Sequence, residues 1–81
     1  MTVRVLLFGP AAMAVRQDSV GVELGPRRTC IELARAIGEQ WPDLRMYVSR
    51  GRLAINATFV DESEIIEESD EVALISMVSG G

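Results

Sequence analysis

The sequence predicts an α+β fold in which one main helix packs on one face of a mixed β-sheet. Runs of β-branched and aliphatic residues open and close the chain, at residues 2–8 and 72–77. A single long helical pattern lies between them, at residues 30–40. The 81 residues argue for one domain, which we expect over residues 1–77, followed by a flexible C-terminal tail at 78–81.

The first strand is predicted over residues 2–8. Its apolar residues alternate around Arg4, which should point to water because successive side chains of a strand face opposite sides. The core-facing residues should then be Val3, Val5 and Leu7. Leu6 and Phe8 should share the outer face with Arg4.

A short helical turn and a second strand are predicted next. Pro10 opens residues 10–16, and proline is tolerated at the first position of a helix. Residues 19–24 alternate again, with valines and a leucine on one face. We therefore expect this strand to return beside the first as a hairpin.

The main helix begins after a cap signal. Thr29 and Glu32 have the spacing of a capping box, and Pro42 ends the helix at Trp41. Apolar residues recur at helical spacing and predict the buried face, which comprises Ile31, Ala34, Ile37 and Trp41.

The second half of the chain predicts short strands and a long connection. Residues 43–48 form a connector with some helical character, and residues 53–55 form a strand that turns at Asn56-Ala57 into residues 58–60. The last strand covers residues 72–77. The order β-β-α-β-(β)-β is that of the β-grasp, or ubiquitin-like, roll.

Composition excludes several kinds of site. The chain has one cysteine, no histidine and no lysine. An internal disulfide, a Ser-His-Asp triad, a histidine-based metal site and a Schiff-base lysine are therefore impossible. The net charge of −4 argues against nucleic-acid binding, which needs a basic face.

The chain also lacks the pattern of a membrane segment. The longest uncharged run, residues 5–15, has 11 residues and contains Gly9 and Pro10, whereas a membrane span needs about 20 apolar residues. Strand-like sequence begins at Thr2, so no cleavable signal is expected. The prediction is a soluble cytoplasmic domain without a membrane partner.

The most informative feature is the end of the sequence, Gly80-Gly81. Two glycines let the backbone approach another surface closely, so such a tail can thread a narrow channel into a partner's active site. A carboxylate is a poor electrophile, but adenylation by ATP gives it a good leaving group. A sulfur nucleophile that displaces AMP then leaves a terminal thiocarboxylate.

Four stretches of the sequence carry a resemblance that covers essentially the whole chain. They are residues 3–8, 53–60, 70–75 and the Val-Ser-Gly-Gly end at 78–81. Together they resemble the small, sulfur-carrier subunits of molybdopterin synthase. The resemblance implies a ubiquitin-like protein that is not catalytic alone and acts as the sulfur-donating subunit of a heteromeric sulfurtransferase.

The resemblance also implies a reaction at Gly81. An E1-like enzyme would adenylate its carboxylate with ATP, and a sulfur donor system would convert the glycyl-adenylate to a thiocarboxylate (1-thioglycine). Val78, Ser79 and Gly80 would insert into the large subunit of a heterotetramer. Gly81 would there donate sulfur to cyclic pyranopterin monophosphate to build the molybdopterin dithiolene. No bound cofactor or metal is expected.

A partner interface is predicted beside this tail. If Val72 and Leu74 face the helix, alternate residues of the last strand face outward. The outer faces of the first and last strands would then join in one exposed apolar patch of Leu6, Phe8, Ile75 and Met77. The resemblance adds Phe59, since the matching position contacts the large subunit. The alternative is that some of these residues belong to a second small core.

Two positions depart from the family's pattern. Ser76-Met77 replaces a usual Pro-Pro pair, a change that loosens the tail or extends the last strand, and Ser69 replaces a glycine. Both departures leave open the alternative that the chain carries sulfur for another pathway (thiamine, cysteine or tRNA thiolation). A ubiquitin-like protein modifier joined through Gly81, and a binding module with an incidental Gly-Gly end, are the alternatives of a different class.

Two further features favour ordinary structural roles. Cys30 lies near a helix N-terminus, where a thiolate is favoured, but a lone cysteine is more often a small buried hydrophobe. The acidic run at residues 61–71 is typical of a solvated surface. Its functional alternative is electrostatic steering toward a basic partner.

Overall fold

A computed structural model describes residues 1–76 and, within them, a five-stranded mixed sheet. The strands are β1 (Thr2–Leu7), β2 (Ser19–Glu23), β3 (Gly51–Ile55), β4 (Thr58–Phe59) and β5 (Val72–Ser76). Their order is β2-β1-β5-β3-β4. β1 and β5 are parallel, and the other neighbouring pairs are antiparallel. The opening hairpin and the neighbouring first and last strands are those that the sequence predicts.

Three α-helices and a 3₁₀-helix connect the strands in this part of the chain. They are α1 (Gly9–Val15), α2 (Cys30–Gln40), the 3₁₀-helix Pro42–Leu44 and α3 (Arg45–Arg50). The longest is α2, which packs against α3, the 3₁₀-helix and β2. The connector with helical character is thus a 3₁₀ turn followed by α3.

The core lies between α2 and one face of the sheet. The predicted phases of the strands are confirmed, because the inward residues of each strand are almost completely buried: Val3, Val5, Leu7, Val20, Val22, Val72 and Leu74. The same buried cluster also contains Ala11, Leu24, Cys30, Leu33, Ile37, Leu44, Leu53, Ile55 and Ile66. The α+β, β-grasp fold class is confirmed.

The predicted buried face of α2 is wrong at Ile31, whereas Ile37 is completely buried as predicted and Ala34 and Trp41 pack, partly buried, against the core. Ile31 is 41% exposed, and in its place α2 buries Leu33 completely and Cys30 almost completely. Both sets have helical spacing, so the sequence carries two overlapping apolar stripes. The stripe that contains Leu33 faces the sheet. Trp41, which belongs to the predicted stripe, is only half-buried.

Thr29 caps α2 as predicted, but only one of the two hydrogen bonds of a capping box forms. The Thr29 hydroxyl accepts a hydrogen bond from the Glu32 backbone N–H at 3.4 Å. The Glu32 carboxylate pairs with Arg35 at 3.2 Å instead of reaching back to the cap. The cap hydrogen bond still satisfies one of the free N–H groups of the first turn.

None of the helices within residues 1–76 is long and apolar enough to cross a membrane.

Candidate functional site

The face of the sheet turned away from α2 carries a row of apolar residues. Leu6 of β1 lies beside Ala73 of β5, Ala73 lies beside Ala54 of β3, and Ala54 lies beside Phe59 of β4. Residues directly opposite each other in neighbouring strands share a face. The row therefore crosses four strands without a charged side chain.

A second row adds Phe8 and Ile75 to this face. Phe8 follows β1 with extended backbone (φ −137°, ψ 153°), so its side chain keeps the alternation of the strand. Ile75 of β5 lies beside Arg52 of β3. The Arg52 guanidinium lies over the ring of Phe59, 4.7 Å from its centroid. Arg52 therefore holds Phe59 by a cation–π contact at the rim of the apolar surface.

Leu6, Phe8, Phe59 and Ile75 form what we call the open-face patch. Phe8 is 54% exposed and Phe59 is 46% exposed, whereas Leu6 and Ile75 are half-buried. Ala54 is buried although it lies outside the main core cluster. The patch is therefore a thin apolar layer with two projecting aromatic rings. Such a surface is typical of a docking site.

Five residues of the predicted site lie outside the described residues: Met77 of the predicted interface, and Val78, Ser79, Gly80 and Gly81 of the predicted tail. Ser76 is the last residue of β5 and pairs with Gly51. This serine continues the strand, which is one of the two outcomes expected where serine replaces the proline usual in the resembled family. The chain passes from the open-face patch directly into the predicted tail.

Gly51 admits no side chain at this point. A Cβ on Gly51 would lie 2.6 Å from the carbonyl oxygens of both Ile75 and Tyr47. The close approach of α3, β3 and β5 therefore requires glycine at this position.

Cys30 is buried at the first position of α2, with 4% of its surface exposed. Burial raises the pKa of the thiol, and the nearby carboxylates of Glu64 and Asp70 raise this pKa further. Near neutral pH the side chain is therefore an uncharged thiol in the core cluster. This environment is that of a structural cysteine rather than a sulfur nucleophile.

The acidic segment at residues 61–71 runs past the N-terminus of α2. Seven of its eleven residues are Asp or Glu, and nearly all of these are exposed. Backbone hydrogen bonds attach it to the helix: Cys30 N–H donates to the Glu64 carbonyl at 2.9 Å, and Ile31 N–H donates to the Glu62 carbonyl at 3.0 Å. Among residues 1–76, no group of three His, Cys, Asp or Glu residues is placed to hold a metal ion.

Sequence reasoning missed the contribution of Arg52 to the site. The β3–β4 register decides that Arg52 reaches Phe59, and a two-residue strand such as β4 has no periodicity that fixes register. The signal available in the sequence was an arginine two positions before Ala54, which places both residues on the same face of the strand.

Comparison with known proteins identifies the family. The family model of the ThiS family matches residues 5–81. The chain belongs to the ThiS family. The match covers every residue of the open-face patch and the Gly-Gly end. The ThiS-family chain is thus of the ubiquitin-fold sulfur-carrier type that its sequence resembles.

Relatives of this ThiS-family chain have two kinds of name. The molybdopterin synthase sulfur carrier subunit of Dictyostelium discoideum is 28% identical over an alignment that covers 96% of this chain and 94% of that protein. Subunits 1 and 2 of the molybdopterin-converting factor from Helicobacter pylori form a complex that contains a similar chain. The match has 24% identity, a TM-score of 0.68 and full coverage of both chains.

The second kind of name is that of a modifier. Small archaeal modifier protein 1 from H. volcanii has a TM-score of 0.81 and 20% identity, covering 95% of this chain and 98% of that chain. These solved structures support the ubiquitin-like β-grasp fold of the ThiS-family chain.

Proposed function

We propose that this chain is the sulfur-carrier subunit of molybdopterin synthase. The observation that carries the proposal is the open-face patch, which borders the strand that leads into Val78-Ser-Gly-Gly81. A carrier needs a docking surface and a reactive terminus on the same side, so that one partner can hold the fold while it receives the tail. The name of the D. discoideum relative supports the choice of pathway.

The reacting group is the Gly81 carboxylate. One of its oxygens attacks the α-phosphorus of ATP, and pyrophosphate leaves. A sulfur nucleophile from a donor system attacks the resulting acyl-adenylate, and AMP leaves with its electron pair. When the donor group is a persulfide, a second thiol reduces the resulting acyl disulfide, so that the donor leaves as a disulfide and the carbonyl carbon of Gly81 carries sulfur in place of one oxygen.

That thiocarboxylate sulfur attacks a carbon of cyclic pyranopterin monophosphate in the synthase and forms a thioester. Water hydrolyses the acyl–sulfur bond, which returns the Gly81 carboxylate and leaves the sulfur on the pterin. Two such transfers, with opening of the cyclic phosphate and loss of water, form the dithiolene.

Catalytic acid–base groups belong to the partners in this proposal. The chain contains neither histidine nor lysine, and its cysteine is buried as a thiol. The partners are an E1-like adenylating enzyme, a sulfur donor and a large synthase subunit in a heterotetramer. The H. pylori complex of subunits 1 and 2 supports the large subunit as a partner.

A second candidate is a ubiquitin-like protein modifier joined through Gly81 to lysines of other proteins. The similarity to small archaeal modifier protein 1 favours it. The chain has no lysine, so it cannot form isopeptide-linked chains of itself. Single attachment remains compatible with the sequence.

Intact mass spectrometry of the chain purified from cells with an active molybdenum-cofactor pathway tests the proposal. We expect a species with the mass change of one oxygen-to-sulfur exchange, localised to Gly81 by fragmentation. Addition of that species to the large subunit and cyclic pyranopterin monophosphate should then yield molybdopterin. An unmodified chain found together with Gly81 adducts on other proteins would instead establish the modifier.

Deletion of Gly81 provides the matched control. The deleted chain should fold and still bind the large subunit through the open-face patch, but it should acquire no sulfur. A sulfur-bearing species that persists after the deletion would place the carrier atom elsewhere. Activity that survives the deletion would identify a binding module.

A further inference from the structure

Arg52 lies at the rim of the open-face patch, next to two of its residues. Its neighbour on β5 is Ile75, and its guanidinium lies 4.7 Å from the centroid of the Phe59 ring. Patch residues therefore flank Arg52 on two sides, and its side chain is exposed in the free chain. A protein that covers the patch must cover this cation as well.

Asp61 is the carboxylate that the strand register brings opposite Arg52. β3 pairs Ala54 with Phe59, and the same register, continued by two residues, sets Asp61 across from Arg52. Within residues 1–76 the two side chains nevertheless form no ion pair. Arg52 reaches diagonally across the strands to the Phe59 ring instead, a distance that a long side chain can span. The arginine therefore packs on the aromatic ring although a carboxylate lies opposite.

Within the part of the chain that the structure describes, the hydrogen-bond donors of Arg52 have no acceptor. The arginines whose side chains donate hydrogen bonds there are Arg4, Arg35 and Arg45. A guanidinium is planar, and its N–H groups point outward in that plane, so a contact through its face leaves them accessible. The Phe59 ring therefore holds the Arg52 side chain in place while its fork of donors stays available to a partner.

The charge of Arg52 restricts what can cover the patch. A guanidinium stays charged in proteins, so a partner that removes its water must supply hydrogen-bond acceptors. An unpaired charge in an interface opposes binding strongly. A planar carboxylate fits the guanidinium fork through two parallel N–H···O bonds. A phosphate also fits the fork, but its second negative charge would lie close to Asp61, so a carboxylate is favoured.

We infer that Arg52 determines which partner the open-face patch accepts, by binding a side-chain carboxylate of the large subunit in bidentate geometry. Phe59 is the positioning residue of this contact, because its ring holds the guanidinium at the rim. The inference rests on the proposed function and names the chemistry of the partner surface, an apolar face with one Asp or Glu placed beside the end of β5. A partner with an apolar or basic side chain at that point leaves the charge of Arg52 unpaired and is rejected.

Calorimetric titration of the large subunit with variants of the full chain tests the inference. Arg52→Gln should raise the Kd at least about tenfold, because the partner's carboxylate is then left unpaired. Arg52→Lys keeps the charge but lacks the planar fork, so it should recover only part of the lost affinity. Arg27→Gln is the matched control, because Arg27 is also exposed and lies in the loop before α2. It removes the same charge and should leave the Kd within about twofold.

A double-mutant cycle isolates the role of Phe59. Phe59→Leu keeps an apolar side chain but removes the ring, so it should weaken binding about threefold in the unsubstituted chain and less in the Arg52→Gln chain. Phe59→Trp keeps a ring under the guanidinium and should preserve the affinity. Equal effects of Phe59→Leu in the two backgrounds would show that the ring acts through apolar contact alone, and they would overturn its positioning role.

Substitutions of acidic residues distinguish the partner's carboxylate from Asp61. Asp61→Asn should not weaken binding, since this carboxylate forms no ion pair with Arg52. Single Asp→Asn and Glu→Gln substitutions on the docking face of the large subunit should include one that weakens binding as much as Arg52→Gln. Combined with Arg52→Gln, that substitution should cost little more than either change alone. Absence of such a coupled carboxylate would overturn the inference, as would a loss in Asp61→Asn equal to that in Arg52→Gln.

The unsubstituted chain separates failure of the proposed function from failure of this inference. If it does not bind the large subunit, the proposed function fails and the inference fails with it. If it binds and Arg52→Gln binds equally well, the inference alone is overturned. Each variant should retain the circular-dichroism spectrum of the unsubstituted chain, because Arg52 and Phe59 are both exposed.

Discussion

The side-chain amide of Gln40 acts as a neighbouring strand for Glu23. Its Oε1 accepts from the Glu23 backbone N–H at 2.8 Å, and its Nε2 donates to the Glu23 carbonyl at 2.8 Å. The indole N–H of Trp41 donates to the Gly21 carbonyl at 3.1 Å. The end of α2 therefore occupies the hydrogen-bonding groups of an edge strand that could otherwise pair with another chain.

Replacement of Gln40 should open this edge. Gln40→Leu removes two hydrogen bonds at an exposed site and should lower the free energy of unfolding by about 1–2 kcal/mol, measured by urea denaturation. The freed edge should also promote dimers at high concentration, detected by sedimentation velocity. Gln17→Leu is the control, because Gln17 is an exposed glutamine outside the sheet. Equal effects of the two substitutions would show that Gln40 does not protect β2.

The β3–β4 turn contains strain that a single substitution should relieve. Asn56 and Ala57 both have positive φ, 52° and 67°, as a two-residue type I′ hairpin requires. The Asn56 amide bonds Asp70 at 3.0 Å and accepts from the Glu71 N–H at 2.9 Å, so asparagine suits its position. Alanine gains no such contact and bears the cost of the left-handed conformation, about 1 kcal/mol.

Ala57→Gly should therefore raise the free energy of unfolding by about 1 kcal/mol, measured by urea or thermal denaturation. Ala14→Gly is the matched control, because Ala14 is an exposed residue of α1. There the same change should lower stability by about 0.5–1 kcal/mol. A loss of stability at both positions would mean that the turn is not strained at Ala57.

Some features of this fold follow from local sequence patterns, and others depend on packing between distant parts of the chain. Strand phases and the cap at Thr29 follow from alternation and hydrogen-bonding chemistry, and both are predictable because they depend on neighbours in sequence. The choice between the stripes through Ile31 and through Leu33 depends on how α2 docks on the sheet. The contacts of Gln40 and Arg52 depend on strand register and on which edge the helix end reaches. Distant packing decides these features, so the sequence alone left them open.

The buried thiol of Cys30 makes stability depend on alkaline pH. In the unfolded chain the thiol ionises near its ordinary pKa of 9.0, whereas burial raises the pKa of the folded thiol. Above about pH 9 the unfolded chain therefore loses this proton first, and the free energy of unfolding falls as pH rises. Cys30→Ala should show a smaller loss between neutral pH and the alkaline range, measured by urea denaturation at each pH. Parallel curves for the two chains would exclude this contribution.

Cys30 should also be dispensable for sulfur loading. The same Cys30→Ala variant should acquire the thiocarboxylate at Gly81 to the same extent as the unsubstituted chain, measured by intact mass spectrometry. The physical reason is that a buried, protonated thiol is a poor nucleophile. Abolished loading of a folded Cys30→Ala chain would make the cysteine part of the sulfur path.

The open-face patch should be required for binding of the large subunit. Phe8→Asp removes an exposed aromatic ring from the patch and should weaken binding at least about tenfold, measured by calorimetry with the large subunit. The fold should persist, because Phe8 is the N-cap of α1 and aspartate is a preferred residue at that position. Met46→Asp is the control: Met46 is 51% exposed, close to the 54% of Phe8, but lies on α3 in the helix layer. Equal weakening by both variants, or loss of the circular-dichroism signal in Phe8→Asp, would remove the patch as the docking surface.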